Sequence, residues 1–242
     1  MILLKGDCLV EMDKIPDISV DLILTDPPYG TTACKWDSVI PFDQMWEQLN
    51  RIIKPNGAIV LFGSEPFSSA LRMSNIKNYK YDWIWEKNRP TGMFLAKKQP
   101  MKYHEIISVF NSKIYYPQMW EGKPSHSVGK GISKSSHYDL PILKDREDSK
   151  NKYPKSICVF DRPHPPVHPT QKPVALGQYL IRTYTNKGET ILDFTAGSGS
   201  FGVAAIREGR KFIGIELDKD YYKIMKERVT KELQSSSDYG IL

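Results

Sequence analysis

Short apolar runs alternate with amphipathic stretches along most of the chain, and the spacing of the apolar residues changes from one to the next. Ser19 to Thr25 (SVDLILT) is apolar and β-rich and stops at Asp26-Pro27-Pro28, where two prolines withdraw donors that a central strand needs. Phe42, Met45, Trp46, Leu49, Ile52 and Ile53 follow at helical spacing, which predicts a helix over 42–53. Lys54-Pro55-Asn56-Gly57 breaks it, and Ala58 to Phe62 (AIVLF) predicts a second buried strand. Tyr81 to Trp85 and Glu105 to Phe110 read as further strands. The later pattern predicts helices over 174–185, 201–208 and 219 to about 233, with strands over 190–194 and 211–216.

Strands alternating with helices predict an α/β fold with a mostly parallel, doubly wound sheet. Between Asn111 and Pro166 the periodicity is lost among Lys, Ser, His, Pro and Gly, the mark of an insertion rather than of core. The expected organisation is one domain in two halves, 1–110 and 166–234, interrupted by an insertion at 111–165 and followed by a flexible tail at 235–242.

Composition adds exclusions more than identity. With 242 residues, 40% hydrophobic and 26% charged, the chain is neither disordered, collagen-like nor membrane-embedded by composition. The formal charge of +6 is unevenly placed: residues 86–155 hold 14 basic and 7 acidic side chains, and the rest is close to neutral. Such a segment suits a polyanionic partner. Cys8, Cys34 and Cys158 are an odd, widely spaced set that indicates neither disulfides nor a metal site. Met1-Ile2-Leu3-Leu4 runs straight into Lys5, Gly6 and Asp7, too short for a signal peptide, so the cytoplasm is the expected compartment and no membrane partner is expected.

Two motifs carry chemistry. Asp193-Phe194-Thr195-Ala196-Gly197-Ser198-Gly199-Ser200 leads from a strand through a glycine turn into a helix, and Glu216 closes the next strand. Small residues let a ligand approach the backbone, and a carboxylate about 20 residues on suits ribose hydroxyls. No Walker-type basic residue follows, which favours a nucleoside without phosphates. The second motif is Asp26-Pro27-Pro28-Tyr29-Gly30. Its prolines freeze the backbone so that the Asp26 carboxylate and the Pro27 carbonyl, both acceptors, face one spot beside the flat Tyr29 ring. That set suits a planar exocyclic amine; an Asp-Pro turn with a surface tyrosine is the plainer alternative.

Together the motifs resemble the DNA amino methyltransferases, which methylate adenine N6 or cytosine N4 using S-adenosylmethionine. The order, with D-P-P-Y before the cofactor loop, resembles the beta subgroup. Gly6-Asp7-Cys8, Trp85-Glu86-Lys87-Asn88-Arg89 and His168-Pro169-Thr170-Gln171-Lys172-Pro173 agree with it. The resemblance implies a circularly permuted, seven-stranded Rossmann-like methyltransferase fold with a target-recognition insertion. It implies Asp26, Pro27, Pro28 and Tyr29 as the catalytic set acting on a flipped-out base. By the same resemblance, the cofactor, released as S-adenosylhomocysteine, would lie over Asp193 to Ser200. Glu216 would stand at its ribose, Asp7 and Cys8 near its adenine, and Asp26, Thr170 and Lys172 towards its methionine end, with Leu217 a further cofactor contact. Lys87, Arg89, Lys97, Lys98 and Lys102 are expected on double-stranded DNA. A homodimer and a cognate restriction endonuclease are the further partners the resemblance implies. Asp at the first motif position favours adenine; the rivals are cytosine N4 methylation, a catalytically silent DNA-binding module, and a nucleotide-dependent oxidoreductase.

Overall fold

The structure is a computed structural model that describes residues 1–32, 37–123, 150–165 and 171–238. The chain divides into two compact units, residues 1–116 with 156–242, and residues 117–155. In chain order the larger unit holds β1 (Ile2–Lys5), α1 (Cys8–Met12), β2 (Val20–Thr25), α2 (Phe42–Ile52), β3 (Ile53–Gly63), α3 (Phe67–Ser74), β4 (Tyr79–Thr91) and β5 (Lys102–Phe110). The smaller unit carries the two-stranded ribbon of β6 (Trp120–Glu121) and β7 (Asn151–Lys152). The larger unit resumes with β8 (Ile157–Val159), α4 (Val174–Tyr184), β9 (Thr190–Asp193), α5 (Ser200–Arg207), β10 (Lys211–Glu216) and α6 (Lys219–Asp238).

One sheet of eight strands runs in the order β1-β10-β9-β2-β3-β5-β4-β8. Only β5 runs against its neighbours. The fold class is as expected, with the short β8 added beside β4 as an eighth strand. Strand residues alternate between two cores. Leu22, Leu24, Val60 and Phe62 join Leu180, Phe201 and Met225 beneath α4, α5 and α6. Val20, Ile23, Ile59 and Leu61 join Met45, Trp46, Leu49 and Phe67 beneath α2 and α3. Helices therefore cover both faces, which is why β2 reads as a nearly unbroken apolar run.

Several bounds differ from the sequence expectation. Ile53 ends α2 as its C-cap and opens β3. Lys54 to Gly57 bulge out of β3 rather than separate two elements, because Val20 pairs with Ile53 while Leu22 pairs with Ala58. α6 continues to Asp238, through part of the expected tail. The second unit is narrower than 111–165: residues 111–116 and 156–165 lie with the larger unit.

Candidate active site

β9 and β2 lie side by side at the centre of the sheet, but the chain leaves β9 towards β10 and leaves β2 towards β3, on opposite sides. The two loops diverge at their carboxyl ends, the place where doubly wound sheets open a binding crevice. Both motifs end up there. A cavity of about 430 Å³ is lined by Asp7, Cys8, Asp26 to Tyr29, Lys172, Asp193 to Ser198, Ser200 and Leu217.

The turn after β2 is tied down by one carboxylate. Asp37 Oδ1 accepts from the amides of Tyr29 and Gly30 at 2.7 and 2.9 Å, and Oδ2 from those of Thr31 and Thr32 at 2.9 and 2.7 Å. Burial works against its charge, yet the Thr32 hydroxyl and these amides hold the carboxyl below the usual range. Within the turn, the Tyr29 hydroxyl donates to Asp26 Oδ1, and the Tyr29 ring leans on Phe67 with centroids 5.1 Å apart. Burial, reinforced by the Asp26 charge, raises the Tyr29 phenol well above its ordinary value.

Behind Asp26 runs a buried chain of charge. Lys172, only 6% exposed, donates to Asp26 Oδ2 and lies 3.3 Å from Glu105 Oε2. Glu105 Oε1 in turn lies 3.4 Å from Lys87 Nζ. Burial disfavours the ammonium of Lys172, but the carboxylates of Asp26 and Glu105 outweigh it and hold the group above the usual lysine range. Burial likewise opposes the Glu105 charge, and Lys172 with Lys87 overcomes it, so that carboxyl is lowered. Asp26 is pushed upward by burial against the pull of Lys172. Asp26 is thus an acceptor whose charge is balanced from behind, with its environment drier than water.

A second network joins the two loops. Thr25 Oγ1 lies 2.6 Å from Asp193 Oδ1 and 2.6 Å from Thr195 Oγ1, and Thr195 Oγ1 lies 3.1 Å from the Asp26 carbonyl. Asp193 Oδ1 is the acceptor, taking the Thr25 hydroxyl and, at 3.3 Å, the Thr195 amide. Burial raises Asp193 to about 7, against the bonds that it accepts from Thr25 and from the Thr195 amide. Asp193 therefore binds its proton more tightly folded than unfolded. Its stabilisation is full below the ordinary carboxylate value and is lost as pH rises towards 7, by about 1.4 kcal/mol per unit. Asp193→Asn, which keeps the shape and supplies a donor, is expected to abolish that decline; denaturant melts of both proteins at pH 5, 6, 7 and 8 test it, and parallel curves would refute it.

The glycine loop is shaped from behind by Glu216, whose Oε2 accepts from Gly197 N at 2.7 Å and whose Oε1 accepts from Asp218 N at 2.8 Å. Burial raises its carboxyl against those amides. Gly199 caps α5 at φ 76°, and a Cβ there would meet Met225 Cγ at 2.9 Å. Gly202 completes a G-x-G-x-x-G spacing and lets α5 close on Phe212, 2.6 Å from where a Cβ would stand. The spacing alone therefore does not separate a nucleoside from a dinucleotide.

Of the sequence-predicted cofactor residues, Gly199 and Glu216 stand behind the cavity wall rather than in it, and Thr170 lies outside the described residues. Asp7 lines the cavity while capping α1, accepting from Leu9 N at 2.9 Å. Burial pushes the Cys8 thiol up to about 12, so it is present as the thiol. The expected DNA contacts separate. Arg89, Lys97 and Lys98 are exposed, and Lys102 is half-buried with its ammonium on Ser64 Oγ. Lys87 is a correction: at 3% exposure and paired with Glu105 it meets no outside partner, because it lies on an inward face of β4. Sequence reasoning missed Thr25, Asp37 and Glu105. A carboxylate soon after a Gly-Thr-Thr turn was the only signal for Asp37, and a lone acid within an apolar strand the only one for Glu105.

The sequence profile of the N6/N4 DNA methylase family matches residues 20–227. The chain belongs to that DNA methylase family. Among curated proteins, the DNA adenine methyltransferase YhdJ of Escherichia coli K12 is 29% identical over 244 residues, covering 94% of this chain and 82% of that one. Among solved structures, M1.HpyAVI in complex with SAM superposes with a TM-score of 0.62 at 24% identity, over 94% of this methylase and 98% of that chain. The cytosine-N4-specific PvuII DNA methyltransferase superposes at 0.67 with 15% identity, over 96% and 90%. These structural likenesses fall on the fold of the methylase. Among its described residues no helix is long and apolar enough to cross a membrane, and no cluster of three or more His, Cys, Asp or Glu is placed to hold a metal ion.

Proposed function

We propose that this methylase transfers a methyl group from S-adenosylmethionine to the N6 amine of an adenine flipped out of double-stranded DNA. The observation that carries the reading is the Asp26 carboxylate, fixed at the cavity wall by Lys172 and Tyr29 next to the Pro27 carbonyl. The cavity fits the cofactor. It runs from Asp7, Cys8 and Leu217 to Asp26 and Lys172, is floored by the small residues Ala196, Gly197 and Ser198, and holds the buried, unpartnered Ser200 hydroxyl. M1.HpyAVI was crystallised with SAM. Glu216, behind the cavity wall, holds the Gly197 and Asp218 amides and so fixes the loop on which the cofactor is proposed to lie.

The cofactor's sulfonium supplies an electrophilic methyl group. An aryl amine is a poor nucleophile because its lone pair is delocalised into the ring. Accepting the amine's N–H bonds, Asp26 and the Pro27 carbonyl localise that pair on nitrogen and stabilise the positive charge that grows there. Lys172 and Tyr29 both donate to Asp26, so the carboxylate orients and stabilises and need not abstract a proton first; the cofactor would leave as the neutral thioether S-adenosylhomocysteine, and the surplus amine proton is lost to water after the transfer. The Tyr29 ring, braced by Phe67, offers the base a face to stack on. The adenine preference rests on the likeness to the adenine methyltransferase YhdJ and on Asp at the first motif position. A cytosine-N4 enzyme shares the fold, which makes cytosine the second reading.

Exposed Arg89, Lys97 and Lys98, with the basic smaller unit, are proposed to meet the phosphates, and the cytoplasm is the compartment this substrate fits. Transfer of radiolabelled methyl from S-adenosylmethionine into duplex DNA tests the reading. Label is expected in DNA, with DNA affinity falling by about 10³-fold or more between 50 and 200 mM salt if six or more phosphates are contacted. No label in any DNA would overturn the activity, and a flat salt response the phosphate contacts.

A further inference from the structure

The most exposed large apolar side chain of the described molecule is Phe94, at 103% of its reference area, flanked by Met93 at 68% and Leu95 at 46%. They form a single 3-10 turn at the tip of the β4–β5 hairpin, and every residue from Thr91 to Pro100 is exposed. Three adjacent apolar side chains held out in water are costly unless something covers them. The tip also has a defined place. Ile106 pairs with Gly63, the last residue of β3, and β5 begins four residues beyond it, at Lys102, paired with Thr91. At roughly 3.3 Å per residue the hairpin stands about 13 Å above the level where the central strands end. β2 and β3 are parallel and β5 runs against both β3 and β4, so β4 points the same way as β2 and β3, and the hairpin rises at the same edge of the sheet as Asp26 and the cavity. Around its apolar tip stand Arg89, Lys97 and Lys98, all exposed.

We propose that this tip is a DNA wedge: Phe94 enters the duplex at the target step and fills the space vacated by the extruded base, while Arg89, Lys97 and Lys98 hold the flanking phosphates. The inference deepens the proposed function and rests on it. An apolar point ringed by cations matches a stack of bases flanked by phosphates, and apolar wedges between base steps are an established way of holding a distorted duplex. Extruding a base costs unstacking and unpairing energy, and a ring that restacks in its place offsets part of it. A second copy of this chain fits less well, because the like charges around the tip would face each other.

The test uses full-length protein and, once modified DNA has been sequenced to find the target, two duplexes that carry it. In one the target adenine is paired; in the other it faces an abasic site, so that pairing no longer holds it in. Phe94→Ala is expected to lose about tenfold to a hundredfold in kcat/KM on the paired duplex and to stay within about threefold of the parent on the other, with Phe94→Trp keeping activity on both. Equal losses on the two duplexes, or none on either, would overturn the wedge. A change of oligomeric state in Phe94→Ala on gel filtration would assign the tip to a second copy and overturn it too. Parent protein that labels neither duplex would instead refute the proposed transfer to adenine in DNA, and the two failures are therefore distinct.

Discussion

Asp26→Ala is expected to lower methyl transfer on the order of 10³-fold while S-adenosylmethionine binding stays within about tenfold. The two effects separate because the structure separates their causes. In the proposed mechanism the carboxylate is the acceptor for the amine, whereas the glycine loop is shaped by Glu216, Thr25 and Asp193, none of which needs the Asp26 side chain. Lys172 still faces Glu105 in the variant, so the core keeps its counter-charge. Asp26→Asn restores an acceptor without the charge and should fall between the two. Single-turnover rates with labelled cofactor, beside calorimetric titration of the same proteins, measure both quantities; undiminished turnover in Asp26→Ala would end the proposed mechanism.

Lys172→Met is the second large effect, on stability and on activity together. Removing one member of a buried ion pair leaves the others unpaired, at a cost of about 3–5 kcal/mol. Here it leaves Asp26 and Glu105 with Lys87 alone, and Lys87 reaches only Glu105. Both carboxyls would then have folded pKa values raised above their unfolded ones. Such groups stabilise when protonated and lose that stabilisation as pH rises, so the variant should be more impaired at pH 8 than at pH 5. The acid limb of its activity profile should move to higher pH, since Asp26 would stay protonated longer. Melts and rate profiles across that range decide it: a deficit independent of pH would show that Lys172 acts through packing alone.

The layered fold was legible because its signals are local. The β2 run, the α2 spacing and the strand-to-glycine turn after β9 each reflect burial on one or both faces of neighbouring residues. Lys54 to Gly57 misled because Pro and Gly mark a bulge within β3 as readily as a break between elements. The site was legible where a motif held the atoms together in sequence, as in Asp26 to Tyr29 and Asp193 to Ser200. Its supports were not. Glu105 is 79 residues from Asp26 and Lys172 is 146 away; Glu105 arrives because β5 lies two places from β2 in the sheet, and Lys172 arrives on the segment that leads into α4. Lys87 was misread for the same reason, since a lysine between polar neighbours reads as a surface charge until β5 brings Glu105 beside it. Among its described residues the basic stretch from Glu86 to Lys155 therefore has more than one kind of cation: Lys87 is internal and structural, Lys102 is half-buried, and Arg89, Lys97 and Lys98 are exposed.

The central claim is that the Asp26-centred cavity methylates an exocyclic amine of adenine in DNA, and the most direct measurement is the identity of the modified nucleoside. Unmethylated genomic DNA is incubated with the protein and labelled S-adenosylmethionine, digested to nucleosides and resolved by mass spectrometry. The account predicts N6-methyldeoxyadenosine, absent when Asp26→Ala replaces the parent. Label in N4-methyldeoxycytidine would contradict the adenine assignment, and label on a ring carbon would contradict the amine chemistry itself.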